Sequence, residues 1–67
     1  MTLKKYQIDT TPLLPEDQEK AIQFIETNAF NHQYIPNTSG QYVCFWEETV
    51  NPSAFPMLSG CVIEELP

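Results

Sequence analysis

The sequence predicts a small α+β domain in which one helix packs on a mostly antiparallel sheet. First, residues 15–30 alone show a helical spacing of apolar side chains. Second, four short segments carry β-branched and aromatic residues and are separated by Pro, Gly, Asn and Asp. Third, 67 residues suffice for a single domain, spanning 1–67. The predicted order is strand, helix, strand, strand, loop, strand.

Residues 3–8 form the first predicted strand, because apolar and polar side chains alternate weakly along them. Residues 9–12, Asp-Thr-Thr-Pro, end it. The helix then opens at Pro15, where a missing backbone N–H costs nothing, and acidic side chains follow in its first turn. We expect it to end near residue 30. Its apolar stripe comprises Ala21, Ile22, Ile25 and Ala29, with Phe24 at the border.

Residues 33–50 are predicted to form a β-hairpin. A short strand at 33–36 is followed by Asn-Thr-Ser-Gly at 37–40, a turn sequence whose Gly accepts positive φ. The strand at 41–50 carries the single Trp of the chain together with a Tyr, a Phe and a Cys. That concentration of large apolar side chains makes it the expected centre of the sheet.

Residues 51–60 contain two prolines and a glycine, so they are predicted to be a loop. The apolar side chains of Phe55, Met57 and Leu58 fit either a loop that covers a core edge or one that presents a contact surface. Residues 61–67 form the last predicted strand.

The charge balance indicates the kind of partner. The chain has nine acidic residues and three lysines, no arginine, and a formal net charge of −6. Such a domain repels the phosphate backbone, so we expect no direct nucleic-acid binding. The same charge fits either attraction to a basic protein or a surface that only keeps the protein in solution.

Neither a signal peptide nor a membrane span is expected. Lys4 and Lys5 precede a polar stretch at 6–11 that interrupts any apolar run, and nothing approaches about 20 apolar residues. The predicted location is therefore the cytoplasm, with both cysteines reduced.

Cys44, Cys61 and His32 are the residues that fit an enzymatic hypothesis. They show neither a CxxC motif nor a zinc-ligand spacing. If the last strand paired with the strand at 41–50, the two cysteines would lie too far apart for a disulfide. We expect buried, unreactive thiols, a histidine at the helix end, no cofactor and no metal.

The strand at 41–50 sends large side chains to both faces of the sheet, and one helix can cover only one of them. The uncovered set is either closed by the 51–60 loop or left as an anchor for a partner. The paired glutamates are candidates for an acidic rim, since alternation gives each pair at most one carboxylate per face. The predicted partner-binding residues are Tyr42, Trp46, Glu47, Glu48, Phe55, Glu64 and Glu65.

The leading hypothesis is a protein-binding module rather than an enzyme: a small inhibitor, adaptor or accessory subunit, including a phage-type or plasmid-type inhibitor, that contacts a basic partner. The second is a small enzyme or enzyme subunit using His32 or a thiol. The third is a homo-oligomer that buries the spare apolar face against itself.

Overall fold

The computed structural model describes residues 2–67 and confirms the α+β prediction and the order of elements. Residues 48–61 connect the last two strands and contain two short 3-10 turns. The elements are β1 (Leu3–Asp9), α1 (Pro15–Asn28), β2 (Phe30–Tyr34), β3 (Gln41–Glu47), the turns Pro52–Ala54 and Pro56–Leu58, and β4 (Val62–Leu66).

The strands form one sheet in the spatial order β2-β3-β1-β4, and every neighbouring pair is antiparallel. The last strand therefore pairs with β1 and not with β3. Because β3 and β4 both run opposite to β1, they are parallel to each other, and parallel strands need a crossover in place of a hairpin. Residues 48–61 form that crossover, and they must be long enough to pass from the end of β3 to the start of β4 on the far side of β1.

The helix forms where its apolar stripe predicts and lies on one face of the sheet. Pro15 occupies its start and Glu16 and Asp17 its first turn. Its fully buried residues, Ala21 and Ile25, join a core that alternate residues of the strands complete. The buried core residues are Tyr6, Ile8, Ala21, Ile25, Cys44, Trp46 and Leu58.

The chain changes from helix to strand earlier than the sequence predicts. The helix ends at Asn28, the backbone is already extended at Ala29, and Phe30 begins β2. Ala29 packs against the core, so the next side chain, Phe30, points to the other face of the sheet and is 44% exposed. Asn31 then takes a positive φ of 48°, where the pairing of β2 with β3 changes register.

The predicted turn at 37–40 is confirmed and is tied to the end of β1. Gly40 has φ 139°, and its carbonyl accepts hydrogen bonds from the backbone N–H of Thr10 (3.0 Å) and from the Thr10 hydroxyl (2.6 Å). The Gln18 amide donates to the carbonyl of Ser39 (2.6 Å) and to the Thr10 hydroxyl (3.2 Å). This cluster joins helix, strand and hairpin turn around Thr10, the buried polar residue of the core.

The crossover packs on the same face as the helix. Asn51 caps its first 3-10 turn by accepting from the Ser53 backbone N–H at 3.1 Å. Leu58 is fully buried, and the ring of Phe55 lies 4.9 Å from that of Phe24 and 5.3 Å from that of Trp46. Helix and crossover together close this side, the helix face, and leave the other side of the sheet uncovered.

Candidate protein-binding face

The side of the sheet opposite the helix is the open face. Side chains alternate along each strand, and paired residues share a face. The buried Tyr6, Ile8, Cys44 and Trp46 mark the helix face, so their neighbours define the other one. The open face consists of Leu3, Lys5, Gln7 and Asp9 (β1), Phe30 and Gln33 (β2), Gln41, Val43, Phe45 and Glu47 (β3), and Val62, Glu64 and Leu66 (β4).

A single cross-strand row runs over all four strands of this face. Phe30 pairs with Phe45, Phe45 with Lys5, and Lys5 with Leu66. Phe45 and Leu66 are half-buried by their neighbours, whereas Phe30 and Lys5 are exposed. The row thus places two aromatic rings, an aliphatic stem and a leucine side by side, and Leu3 and Val43 adjoin it.

A shallow depression of about 420 Å³ lies at one end of the row. Leu3, Phe45, Leu66 and Pro67 give it apolar walls, and Lys5 contributes to its rim. Its polar neighbours include Glu65. Lys4 and Glu65 belong to the helix face, so the depression extends around the end of the strands.

The charges of the open face lie around the row. Asp9, Glu47 and Glu64 are acidic and Lys5 is the one cation, so the face carries a net negative charge. Glu47 lies opposite Leu3 and Glu64 opposite Gln7, on the two sides of β1. Four residues along the strand and two strand spacings across it place them about 16 Å apart. They flank the apolar row from two sides and do not gather into one cluster.

The predicted partner-binding residues divide between the two faces. Tyr42 and Trp46 are only 9% and 4% exposed and lie on the helix face, so they do not form the expected exposed aromatic surface. Phe55 is half-buried in contact with Phe24 and Trp46, because the crossover closes the helix face and not the opposite one.

The glutamates among those residues are all exposed. Glu47 and Glu64 belong to the open face, and Glu65 points to the helix face, where its carboxylate lies 3.6 Å from the Lys4 ammonium. Glu48 follows the end of β3 and its backbone N–H bonds to the carbonyl of Thr2 at 2.9 Å. The structure therefore brings two of the four carboxylates to the rim of the apolar row.

Sequence reasoning overlooked Phe30, Lys5 and Leu66 as contributors to a site. Phe30 was expected at the helix end, and the side chains of the last strand could not be assigned to a face without the register. For the first strand one signal was available. Tyr6 and Ile8 make one side of β1 more apolar than the other, and that side faces the helix.

The candidate catalytic groups are the two thiols and His32. Both cysteines are free; burial raises the pKa of the Cys44 thiol to about 11, with the Trp46 indole acting in the opposite direction. Burial, aided by Asp9, also raises the pKa of Cys61. His32 is an exposed residue of β2 and not of the helix end. Thiolates are the reactive form, so raised pKa values oppose nucleophilic use.

Two further observations concern residues 2–67. No group of three or more His, Cys, Asp or Glu side chains in this range is placed to hold a metal ion. Within the same residues, no helix combines the length and the apolar character that crossing a membrane requires.

Comparison with known proteins gives no relative for this chain: no family model, curated protein or solved structure matches it.

Proposed function

We propose that the protein is a small protein-binding module that uses its open face to contact a basic partner. The observation that carries this proposal is the cross-strand row of Phe30, Phe45, Lys5 and Leu66 on a face that neither the helix nor the crossover covers. Interfaces commonly combine an apolar centre with a polar rim, and the open face has both.

The charge of the open face supports a basic partner over a second copy. The open face carries three carboxylates and one ammonium, and the whole chain carries −6. Two copies meeting through this face would bring like charges together, whereas a partner rich in Lys or Arg would be attracted from a distance. The acidic rim therefore favours a heterologous complex, of the kind that a small inhibitor, adaptor or accessory subunit forms.

The raised thiol pKa values support a binding function over thiol catalysis. Two free cysteines are also consistent with a reducing compartment, and we propose the cytoplasm as the place where the complex forms.

The test is capture of partners from an extract of the producing cells on the immobilised chain, followed by purification of the captured protein and measurement of its affinity. We expect a basic protein whose affinity falls steeply between low and high salt. Phe45→Thr and Glu47→Lys should each weaken binding at least about tenfold, because both alter the open face.

Matched controls lie away from that face. Leu14→Ser changes an apolar side chain that is 72% exposed at the helix start, and Glu19→Lys reverses an exposed charge on the helix. Both should bind normally. An equal loss of affinity in the control variants, or an affinity unchanged by Phe45→Thr, would refute docking on the open face. A self-complex that strengthens with salt would instead favour the homo-oligomer.

A further inference from the structure

The open face alone is small for a stable interface. Four strands about 4.8 Å apart, each about 20 Å long, cover roughly 400 Å², whereas a standard interface buries about 800 Å² on each partner. A partner on this face must therefore make further contacts beside it. The nearest unused backbone belongs to an edge of the sheet.

The two edges differ in regularity. The β2 edge is interrupted, because its pairing with β3 shifts between Phe30 and Gln33 and Asn31 has a positive φ. Such bulges twist an edge away from further pairing. The β4 edge is regular, with five consecutive pairs from Lys5 and Leu66 to Asp9 and Val62.

The outer side of β4 is free among the described residues. Within 2–67, the backbone hydrogen bonds of residues 62–66 go to β1 and to no other segment. In an antiparallel pair only alternate residues direct their N–H and C=O groups to the neighbouring strand, so the remaining groups of β4 point outward. These groups form a template for one more strand.

The charges on β4 select which strand can add. Glu64 and Glu65 are consecutive, so one carboxylate projects on the open face and one on the helix face. A second copy of β4 paired antiparallel about its centre would place Glu64 opposite Glu64, which is unfavourable. A strand with adjacent Lys or Arg residues would instead place one cation beside each carboxylate.

Glu64 is the more available of the two carboxylates. Glu65 lies 3.6 Å from the Lys4 ammonium and accepts a long hydrogen bond of 3.5 Å from the Tyr6 hydroxyl. Glu64 pairs across the strand with the neutral Gln7 and has no ion pair within residues 2–67. It lies on the same face as the cross-strand row, so a strand added here adjoins the proposed docking surface.

We propose that a basic extended segment of the partner adds to the free edge of β4 as a fifth strand, with its cations beside Glu64 and Glu65. This inference rests on the proposed function and specifies its partner: a protein segment in β conformation with two consecutive basic residues. Main-chain hydrogen bonds would supply the affinity and the carboxylates the selectivity.

The experiment uses the full chain, labelled with ¹⁵N, and the synthetic peptide acetyl-Thr-Val-Lys-Lys-Val-Val-Thr-amide as a probe. We expect shift changes centred on residues 62–66 and slower amide exchange in that strand. The control peptide has the same sequence and charge but carries an N-methyl group on every residue. It should bind at least about tenfold more weakly, because neither of its edges can donate the strand hydrogen bonds.

Matched protein variants separate edge pairing from general charge attraction. Glu64→Lys should weaken the unmodified peptide by at least about fivefold, and Glu19→Lys, with the same change in net charge, should leave its affinity within about twofold. Equal affinity of the two peptides, shift changes centred on β2, or no binding at millimolar peptide would overturn the fifth-strand proposal.

The outcome is separable from that of the proposed function. If the captured partner depends on Phe45 while both peptides behave alike, the face stands and the edge proposal fails. If the unmodified peptide pairs with β4 but Phe45→Thr leaves partner capture unchanged, the open face is not the docking surface.

Discussion

Lys5 and Phe45 stand opposite each other on the two central strands, on the face that the helix leaves open. A cation thereby occupies the middle of an otherwise apolar row, about 7 to 8 Å diagonally from Glu47. A substitution of Lys5 therefore changes the charge at the centre of the open face while the apolar residues around it stay the same.

If the proposed basic partner docks on the open face, replacing Lys5 by Glu should strengthen its binding by about fivefold at low salt, because it removes the one cation of that face. Titration calorimetry at two salt concentrations checks this. Lys20→Glu is the control, since it changes net charge equally from the helix. The same gain in both variants would mean that only net charge matters and that the position of Lys5 does not.

Replacing Leu58 by Ala should lower the free energy of unfolding by about 2–4 kcal/mol, because the side chain is 1% exposed and joins the crossover to the core. The neighbouring Met57 is 47% exposed, and Met57→Ala should cost less than about 1 kcal/mol. Urea unfolding followed by Trp46 fluorescence measures both. Similar costs at the two positions would argue that the crossover does not seal the helix face.

Replacing Gly40 by Ala should cost at least about 2 kcal/mol. The residue has φ 139°, and a Cβ there would collide with the Gln18 amide and the Thr10 hydroxyl. Gly60→Ala is the comparison: its φ is not positive, and its Cβ would meet only the movable end of Leu13. It should cost under about 1 kcal/mol. Thermal unfolding followed by circular dichroism measures both variants. A larger stability loss for Gly60→Ala than for Gly40→Ala would contradict the close packing of Gly40 against the Thr10 cluster.

Stability should fall above pH 9 in a way that depends on Cys44. Burial raises the pKa of its thiol from 9.0 to about 11, so in that interval the unfolded chain releases a proton that the folded chain retains. The protonated Cys44 thiol makes its full contribution to the free energy of unfolding below pH 9. This contribution, on the order of 2 kcal/mol, is lost as pH rises through 11. The measurement is the free energy of unfolding against pH for the original chain and for Cys44→Ala, and the difference between the two curves isolates the effect of the thiol. Parallel curves would contradict a raised pKa at Cys44.

The sequence predicts the elements of this fold better than their arrangement. The stripe from Ala21 to Ala29 predicts the helix and its buried side, because helical spacing is a local property. The Asn-Thr-Ser-Gly turn predicts the hairpin for the same reason. The strand that pairs with β4 cannot be predicted in this way. It depends on the path of the crossover across the sheet, and no local sequence pattern determines that path.

The candidate site shows the same division. Alternation predicts that Val43 and Phe45 lie opposite Tyr42 and Trp46, and it does not predict which pair the helix covers. The prediction that function resides on the side away from the helix remains a hypothesis and now concerns Phe45. The residues that complete the row, Phe30, Lys5 and Leu66, come from three other strands and become neighbours only through the register.

The pairing of β1 with β4 joins one of the earliest segments of the chain to one of the latest, as Lys5 lies beside Leu66. During synthesis the helix and the β2–β3 hairpin can form from contacts close in sequence. The fourth strand has no place until it leaves the ribosome, and until then β1 has an unpaired side. Until β4 pairs with it, the nascent domain thus exposes the edge of β1, and an unpaired strand edge is open to non-native pairing.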